Sequence, residues 1–498
     1  MKKSLAIAMA ACLVSMPSVV KAVEFQTPGA LGMGGAGVAR DNGALTSYWN
    51  PAGVAFLKPS IAVKAAVSAG ISGSNGLTEN IDRLSKIDFD NVKNFNSSAA
   101  EVGDIVKTLT ILDDINNRGG NISVVGMVPV GVTVKQFAVG IYGGMEGYVQ
   151  PIADMTNILP NNVSTSVPVT IPNLVTAVGS GNTASGYFTS AQLAELTAAI
   201  SGYAGVVPAG AAELANAIDT QLIGSGIDPA TVLSAVTGQV LPTLGSGGTN
   251  TLDKNTTVVM TKAFQYIEVP VSFGRTVDKK KKLAFGISGK AMSGTVYQNQ
   301  VLLVNRTDGS IDAQSIVDDI TKNKKTSSAI GIDVGALYKY SDKINIGIVA
   351  KNINSPKFDT PDYQQYLTPG TTATVTGGKI EMKPQVRAGI AVESIGWMNF
   401  AADLDLTEND TVAPGTVVGS SYKSRNLGGG IEFRPASWLK VRGGAYKNLA
   451  MNNGAVLTAG FKLFMLDVDG AFATQTFTYD GNEIPREVRV NAGISFAL

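Results

Sequence analysis

The sequence predicts an all-β transmembrane barrel of about 14 antiparallel strands, with helical insertions in its extracellular loops. Three observations carry this. The chain begins with an export leader, its strand-length segments alternate apolar and polar residues up to the final residue, and the connections between them alternate short and long.

The leader comes first. Lys2 and Lys3 precede an apolar stretch from Leu5 to Val14, and Val20-Lys21-Ala22 offers small residues around a cut, so residues 1–22 read as a signal peptide. Met9-Ala10-Ala11-Cys12 loosely resembles a lipobox, which keeps a lipid anchor at Cys12 as the rival reading. Cys12 is the only cysteine, so cleavage after Ala22 leaves a chain without disulfides or thiolate metal sites. Lys and Arg number 40 against 39 Asp and Glu, which gives no basic footprint for nucleic acid. After the leader no apolar run reaches the roughly 20 residues of a membrane helix. A membrane-spanning chain of this kind must close its strands into a barrel, because lipid satisfies no backbone N–H or C=O.

The strands follow. In the last segment Val488, Val490, Ala492, Ile494, Phe496 and Leu498 share one parity and Arg489, Asn491 and Ser495 the other, so one face of the strand is apolar. The split recurs at Leu283–Lys290, Ile330–Lys339, Ile344–Lys351, Val386–Ile390, Phe400–Leu406, Ile431–Arg434, Leu439–Arg442 and Phe461–Phe472. In these segments the charges keep off the apolar parity, as lipid requires: Lys or Arg on a lipid face costs about 2–4 kcal/mol near the midplane. A soluble sandwich also alternates, but gives no reason for export. The charged parity is expected to line the lumen, with Arg387 opposite Asp403 and Asp405, Lys462 opposite Asp467 and Asp469, and Arg489 inside the closing strand. Such charges either neutralise one another or form a selectivity filter.

The connections set the topology. Short ones fall at Val132–Gln136, Asp278–Lys282, Ser341-Asp342, Ser394–Trp397, Pro435–Trp438 and near Met465. Long ones fall at about 71–120, 150–255, 299–325, 355–380, 408–421, 448–453 and 478–485. Short periplasmic turns and long extracellular loops are the pattern of an outer-membrane barrel, and counting from Ile61 gives about fourteen strands over residues 60–498. Two loops carry helix signals, at about 78–118 and 150–255. In the second, Thr189 with Gln192 reads as a capping box and Asp228-Pro229 as an N-cap before proline. Leu193, Leu196 and Ile200, then Leu214, Ile218 and Leu222, recur at helical spacing.

Ahead of the first strand, residues 23–59 contain Gly32-Met33-Gly34-Gly35-Ala36-Gly37 and then Tyr48-Trp49-Asn50-Pro51-Ala52-Gly53. Gly32, Gly34 and Gly37 match the dinucleotide fingerprint formally, but Val54 to Gly70 contains no acid to hold a ribose, so glycines for close-packed backbone are the better reading. These two motifs, with the leader and the strand layout, resemble the start of the FadL-type outer-membrane barrels, transporters of long-chain fatty acids and aromatic hydrocarbons. The resemblance implies that the segment folds inside the barrel as a hatch, with Gly32, Gly34, Gly35, Gly37, Trp49, Asn50, Pro51 and Gly53 as its motif. It also implies a lateral opening in the third strand, where Gly140, Gly143, Gly144 and Gly147 weaken the pairing; the plainer reading of the same glycines is filler, since glycine is common in membrane strands. Ser47-Tyr48-Trp49-Asn50-Pro51-Ala52-Gly53 and the large helical insertion are similar to the TraF-type conjugal transfer proteins.

Histidine is absent, which removes His-dependent triads and His metal sites. No catalytic residue, cofactor or metal is expected. The expected function is a passive outer-membrane channel for hydrophobic small molecules such as long-chain fatty acids. The alternative is a conjugal-transfer or surface-assembly protein whose helical loop binds a protein partner. The expected surroundings are outer-membrane lipid in a Gram-negative bacterium, without nucleic acid.

Overall fold

The computed structural model describes residues 30–57, 61–73, 76–87, 99–155, 157, 170–245, 254–302, 321–368, 370–412, 423–451, 454–479 and 482–497. The segment predicted to be a signal peptide, Cys12 and Leu498 lie outside them. Fourteen antiparallel strands close into one barrel. They are β1 (Ile61–Gly73), β2 (Ile122–Val134), β3 (Phe137–Ile152), β4 (Val258–Thr276), β5 (Leu283–Leu302), β6 (Lys324–Lys339) and β7 (Ile344–Lys351), then β8 (Gln385–Ile395), β9 (Met398–Asp405), β10 (Asn426–Ala436), β11 (Leu439–Asn448), β12 (Ala455–Leu463), β13 (Leu466–Ala473) and β14 (Glu487–Ala497). The closing strand pairs with the first from Ala62↔Ala497 to Ser72↔Glu487. All six short turns join the strands expected from the sequence, so both barrel ends follow directly from turn chemistry.

Alternation becomes inside and outside. Val139, Ile141, Ile267, Val271, Phe285, Ile330, Ile348, Val490 and Phe496 are exposed on the outer wall, whereas Glu268, Lys290, Asp333, Asp403, Glu432, Arg442, Asp467 and Asp469 are buried within. Among the described residues no helix is long and apolar enough to cross a membrane. The wall is uneven in height: β4 and β5 run for 19 and 20 residues, while β7, β9 and β13 run for 8. A tilted span needs only about 9–11 residues, so the long-loop ends of β4 and β5 stand clear of such a span.

The helical insertions share one core. Helices α1 (Leu77–Ser85) and α2 (Ala99–Arg118) come from the first long loop, and α3 (Ile171–Val178), α4 (Ser190–Ser201), α5 (Pro208–Leu222) and α6 (Pro229–Ala235) from the second. Among the described residues the first loop holds two helices, the first ending at Ser85. Ile105 and Leu109 of α2 pack with Leu196, Ile200, Leu214, Ile218 and Leu222, fusing both loops into a single cap. The Thr189–Gln192 capping box and the Asp228 N-cap start α4 and α6. Buried Asp219 ties the loop before α4 onto α5. Burial disfavours its charge, but the amides of Phe188, Ser185 and Gly186 and the Ser185 hydroxyl outweigh this and hold its pKa below the ordinary value.

Candidate functional site: a lumen crossed by the N-terminal segment

Residues 30–57 run through the barrel interior. The turn Leu31–Met33 lies against β10–β13, Gly43–Leu45 against β1 and β2, and Pro51–Phe56 against β4–β6. The segment spans the lumen from wall to wall.

Glycine makes this fit possible on both sides. Gly34 has φ +65°, a conformation that L side chains disfavour, and a Cβ on it would strike the backbone of Ala445 and Gly429. On the wall, a Cβ on Gly428, Gly430 or Gly444 would strike Met33 or Gly34, and one on Gly274 or Gly286 would strike Pro51. The indole of the fully buried Trp49 lies on Gly37, and Gly53 faces the methyl of Thr46. Asn50 accepts from the Ala52 amide, capping the turn that begins at Pro51, and donates to the carbonyls of Ala336 at 3.1 Å and Ile348 at 3.4 Å. Gly35 offers its carbonyl to Arg387 at 3.5 Å, and Gly32 lies beside Asp469 and Arg442.

Charge holds one face of the segment. The Gly37 and Val38 amides donate to Asp403 Oδ2 at 2.7 and 3.0 Å, and Arg40 reaches Glu432 at 3.1 Å. Glu432 also meets Arg442 at 2.9 Å and Arg434 at 2.7 Å. Arg442 continues to Asp467 at 2.6 Å and Asp469 at 3.1 Å, while Lys64 meets Asp467 at 3.3 Å.

Two expected pairings need correction. Arg387 forms its bidentate pair with Asp405, at 2.6 and 3.0 Å, while Asp403 turns to the N-terminal segment. Lys462 is opposite Asp467 in register, yet its ammonium donates to Ser495 at 2.5 Å. The reason is competition: Arg442 and Lys64 already occupy the two oxygens of Asp467 from neighbouring strands. Arg442, Glu432, Lys64 and Arg40 are the residues that sequence reasoning missed as a network. The signal for Lys64, Glu432 and Arg442 was present in the polar parity of β1, β10 and β11; Arg40, in the N-terminal segment, had none. Arg489 lies inside, paired with Glu487 at 2.5 Å.

Rings and sulfurs hold the other face. Tyr48 meets Trp49 and Tyr142 edge to face, with centroids 5.7 and 5.2 Å apart, and Met127 and Met145 pack into the same cluster. Ser47 and Tyr142 share a hydroxyl contact of 3.3 Å, and the Lys351 ammonium sits 3.7 Å over the Tyr48 ring. Gly140, Gly143, Gly144 and Gly147 lie on this side in a strand paired with β2 at every residue from Phe137 to Val149. On either side of this hairpin the pairing is interrupted. The β3–β4 ladder skips Gly140 and Ile141, opposite Pro270 and Val269, and the β1–β2 ladder skips Ala66 and Val67, opposite Pro129 and Val128. Both prolines lack the N–H that a rung needs.

Beyond this segment, toward the long loops, lies a cavity of about 200 Å³. Phe264 floors it, and Ile380, Met382 and Val412 from the loops close it. The hairpin bearing Ile380 is clamped by Lys357–Glu381 and Lys379–Asp359, each 3.1 Å. Lys383 and Asp410 pair at the rim, and the half-buried Lys262 contributes an ammonium.

These features define a class: a fourteen-stranded β-barrel, apolar outside and charged within, occluded by its own N-terminal segment. A family model described as "F plasmid transfer operon, TraF, protein" matches residues 47–405, and the chain belongs to that family. No curated protein matches the sequence. The structure is similar to the Ralstonia pickettii toluene transporter TbuX, at 13% identity and a TM-score of 0.46, covering 95% of this chain and 98% of that one. It is also similar to the Pseudomonas putida toluene transporter TodX (10% identity, TM-score 0.42, 97% and 99% covered) and to a Pseudomonas aeruginosa FadL homologue (10%, 0.41, 96% and 98%). Likeness at this level says nothing of substrate.

Proposed function

We propose that the chain is an outer-membrane transporter that passes hydrophobic small molecules around residues 30–57, which act as a hatch. The short turns then face the periplasm and the helical cap the exterior. The observation that carries this reading is the cavity at Phe264, Ile380, Met382 and Val412, an apolar patch set among polar and charged groups that include Lys262, Glu381, Lys383 and Asp410. An apolar patch beside convergent polar groups suits an amphiphilic small molecule, its chain against Phe264 and Met382 and its head among the charges. Lys262 supplies a cation for the head of an anionic amphiphile such as a long-chain fatty acid. The test is equilibrium binding of a fluorescent fatty acid and its methyl ester to the full-length protein. Lys262→Gln is expected to weaken the acid by about tenfold and leave the ester unchanged. Met382→Trp, which fills the cavity, is expected to weaken both, and unchanged binding in Met382→Trp would sink the reading.

The glycines of β3 mark the exit in this reading. Ligand leaves sideways between β3 and β4, so uptake into liposomes falls in the Gly143→Val/Gly144→Val variant.

A second reading rests on the cap. Its core is independent of the lumen, and its base is pinned by Asp154, which takes the Thr256 amide at 2.9 Å, and by Asn255. Such a body suits a protein partner, as in conjugal transfer, the process in the family's description. Excising residues 158–253 is expected to leave a folded barrel. Loss of conjugation with uptake intact would favour this second reading.

A further inference from the structure

The six short turns form one rim, and the rim has two unlike halves. The turns of β2–β3, β4–β5 and β6–β7 are neighbours and carry Lys135, then Lys279, Lys280, Lys281 and Lys282, then Lys343, with Arg275 at a strand end; Lys339 turns inward over Phe56. Asp278 and Asp342 are the acids among them. The Asp278 carboxylate is committed to the turn, accepting from the amides of Lys282 at 2.8 Å and Leu283 at 2.7 Å. Lys279 to Lys282 make no ion pair with any described residue. The other three turns, β8–β9, β10–β11 and β12–β13, present Trp397 stacked on Phe433 and Trp438 stacked on Phe464, all exposed.

Two details set the basic half apart from ordinary surface charge. Lys135 and Lys281 stand at φ +55° and +52°, a left-handed conformation that glycine or asparagine adopts more cheaply; Phe464 of the aromatic half shares it at +52°, so each half places its characteristic residue at a strained turn position. A lysine at each of these two positions works against the stability of its turn. Arg275 is the second detail. It is exposed on the outer parity of β4, between Phe273 and Val277 and opposite Phe285, all three exposed apolar residues. A guanidinium there sits where the apolar belt ends, within a few residues of the four lysines, and long basic side chains at such a border reach to the headgroup layer.

We propose that this half of the rim binds the headgroups of anionic phospholipids in the adjoining leaflet, with Arg275 and Lys279–Lys282 at its centre. The proposal rests on the reading of the barrel as a bilayer protein. Turns this short keep the lysines at the bilayer surface, where each adds attraction to an anionic leaflet, and the aromatic half takes neutral lipid. The barrel is thereby oriented among its lipids as well as across them.

The experiment reconstitutes the full-length protein in vesicles of equal phosphatidylglycerol and phosphatidylcholine, extracts it in mild detergent and measures the retained lipid by mass spectrometry. Wild type is expected to retain phosphatidylglycerol over phosphatidylcholine, on the order of tenfold. The Lys279→Gln/Lys280→Gln/Lys281→Gln/Lys282→Gln variant is expected to return to the bulk ratio. Lys325→Gln/Lys357→Gln/Lys379→Gln, at the opposite end, keeps the enrichment. Lys281→Gly, which relieves the left-handed strain, raises the unfolding temperature while lowering the enrichment, a combination that a merely structural lysine does not give. Equal retention of both lipids by wild type overturns the proposal, as does the same loss in the opposite-end control. Enrichment that persists in the quadruple variant, alongside loss of binding to an acidic protein, also overturns it and reassigns the surface. Failure of the bilayer reading looks different: the protein then enters neither kind of vesicle.

Discussion

Toward β9–β13 the N-terminal segment meets carboxylates and guanidinium groups, and toward β2 and β3 it meets rings and thioethers. The two faces differ in how they can fail. An ion pair inside a barrel is directional and loses most of its value when either partner shifts, whereas aromatic and methionine packing tolerates sliding. The rigid face also coincides with complete ladders: β9, β10, β11 and β12 pair without a skipped rung in the middle of the strands. The soft face coincides with the two interrupted ones. If the segment moves as a hatch, the expected direction is away from Tyr142 and Met127, where packing dominates, and about the ionic anchor at Asp403 and Glu432.

The largest effect expected from this comparison is at Arg442. Arg442→Ala strands Glu432, Asp467 and Asp469 as buried charges with diminished compensation, which costs about 3–5 kcal/mol. Urea unfolding in lipid vesicles should show a clearly lower midpoint. Tyr142→Phe on the opposite face removes a hydroxyl contact and keeps the ring, so its cost is about 0.5–1.5 kcal/mol. Equal losses in the two variants would erase the distinction between the faces.

Asp403 comes next. Its Oδ2 holds the Gly37 and Val38 amides, and Asp403→Ala leaves two buried N–H groups of the segment without that acceptor, at about 1–3 kcal/mol. Because the lost bonds join segment to wall, the deficit should be seen as movement of the segment as well as reduced stability. A protease site placed at residues 41–43, or single-channel conductance, reads this directly. A variant that unfolds earlier yet stays closed and protected would place the anchor elsewhere.

Much of this was legible in the sequence, and the boundary is instructive. Period-two alternation gave the strands and their inner face, because lipid forbids charge on one parity over many residues at once; the register of the closing strand came only with the closed barrel. Within the Gly-Met-Gly-Gly-Ala-Gly and Trp-Asn-Pro motifs, Gly32, Gly34, Asn50 and Pro51 lie against the wall, while Gly37 and Gly53 make room for Trp49 and Thr46 of the segment itself. What stayed hidden was three-dimensional choice. Asp467 faces Lys462 across a hairpin, but the stronger claims come from Arg442 on the next strand and Lys64 across the closure, which only a closed barrel brings near. The partners of Gly34 were hidden in the same way. Gly428, Gly429, Gly430 and Gly444 read as ordinary strand glycines until the segment is laid against them. The fusion of α1 and α2 with the second insertion was out of reach too, since nothing in either loop's own periodicity names its neighbour.

The subtlest test concerns Pro129 and Pro270. The β2–β3 hairpin is fully paired along its own seam, with Pro129 opposite Tyr142, and each outer seam lacks rungs at nearly the same height. Restoring an N–H at either proline adds a hydrogen bond of about 0.5–1.5 kcal/mol, but also returns backbone freedom to the unfolded chain, worth about 0.4–1 kcal/mol. The two nearly cancel, so Pro129→Val and Pro270→Val should leave the unfolding midpoint almost unmoved. Their effect on the seams does not cancel, because unfolded-state entropy has no part in how the folded wall opens. If hydrophobic ligands leave between β3 and β4, Pro270→Val slows liposome uptake several-fold while Pro129→Val, on the β1 side, leaves it near wild type. Equal slowing by both would mean the whole hairpin moves as a panel. Uptake unchanged in both would mean that the soft face of the segment is soft for some reason other than passage.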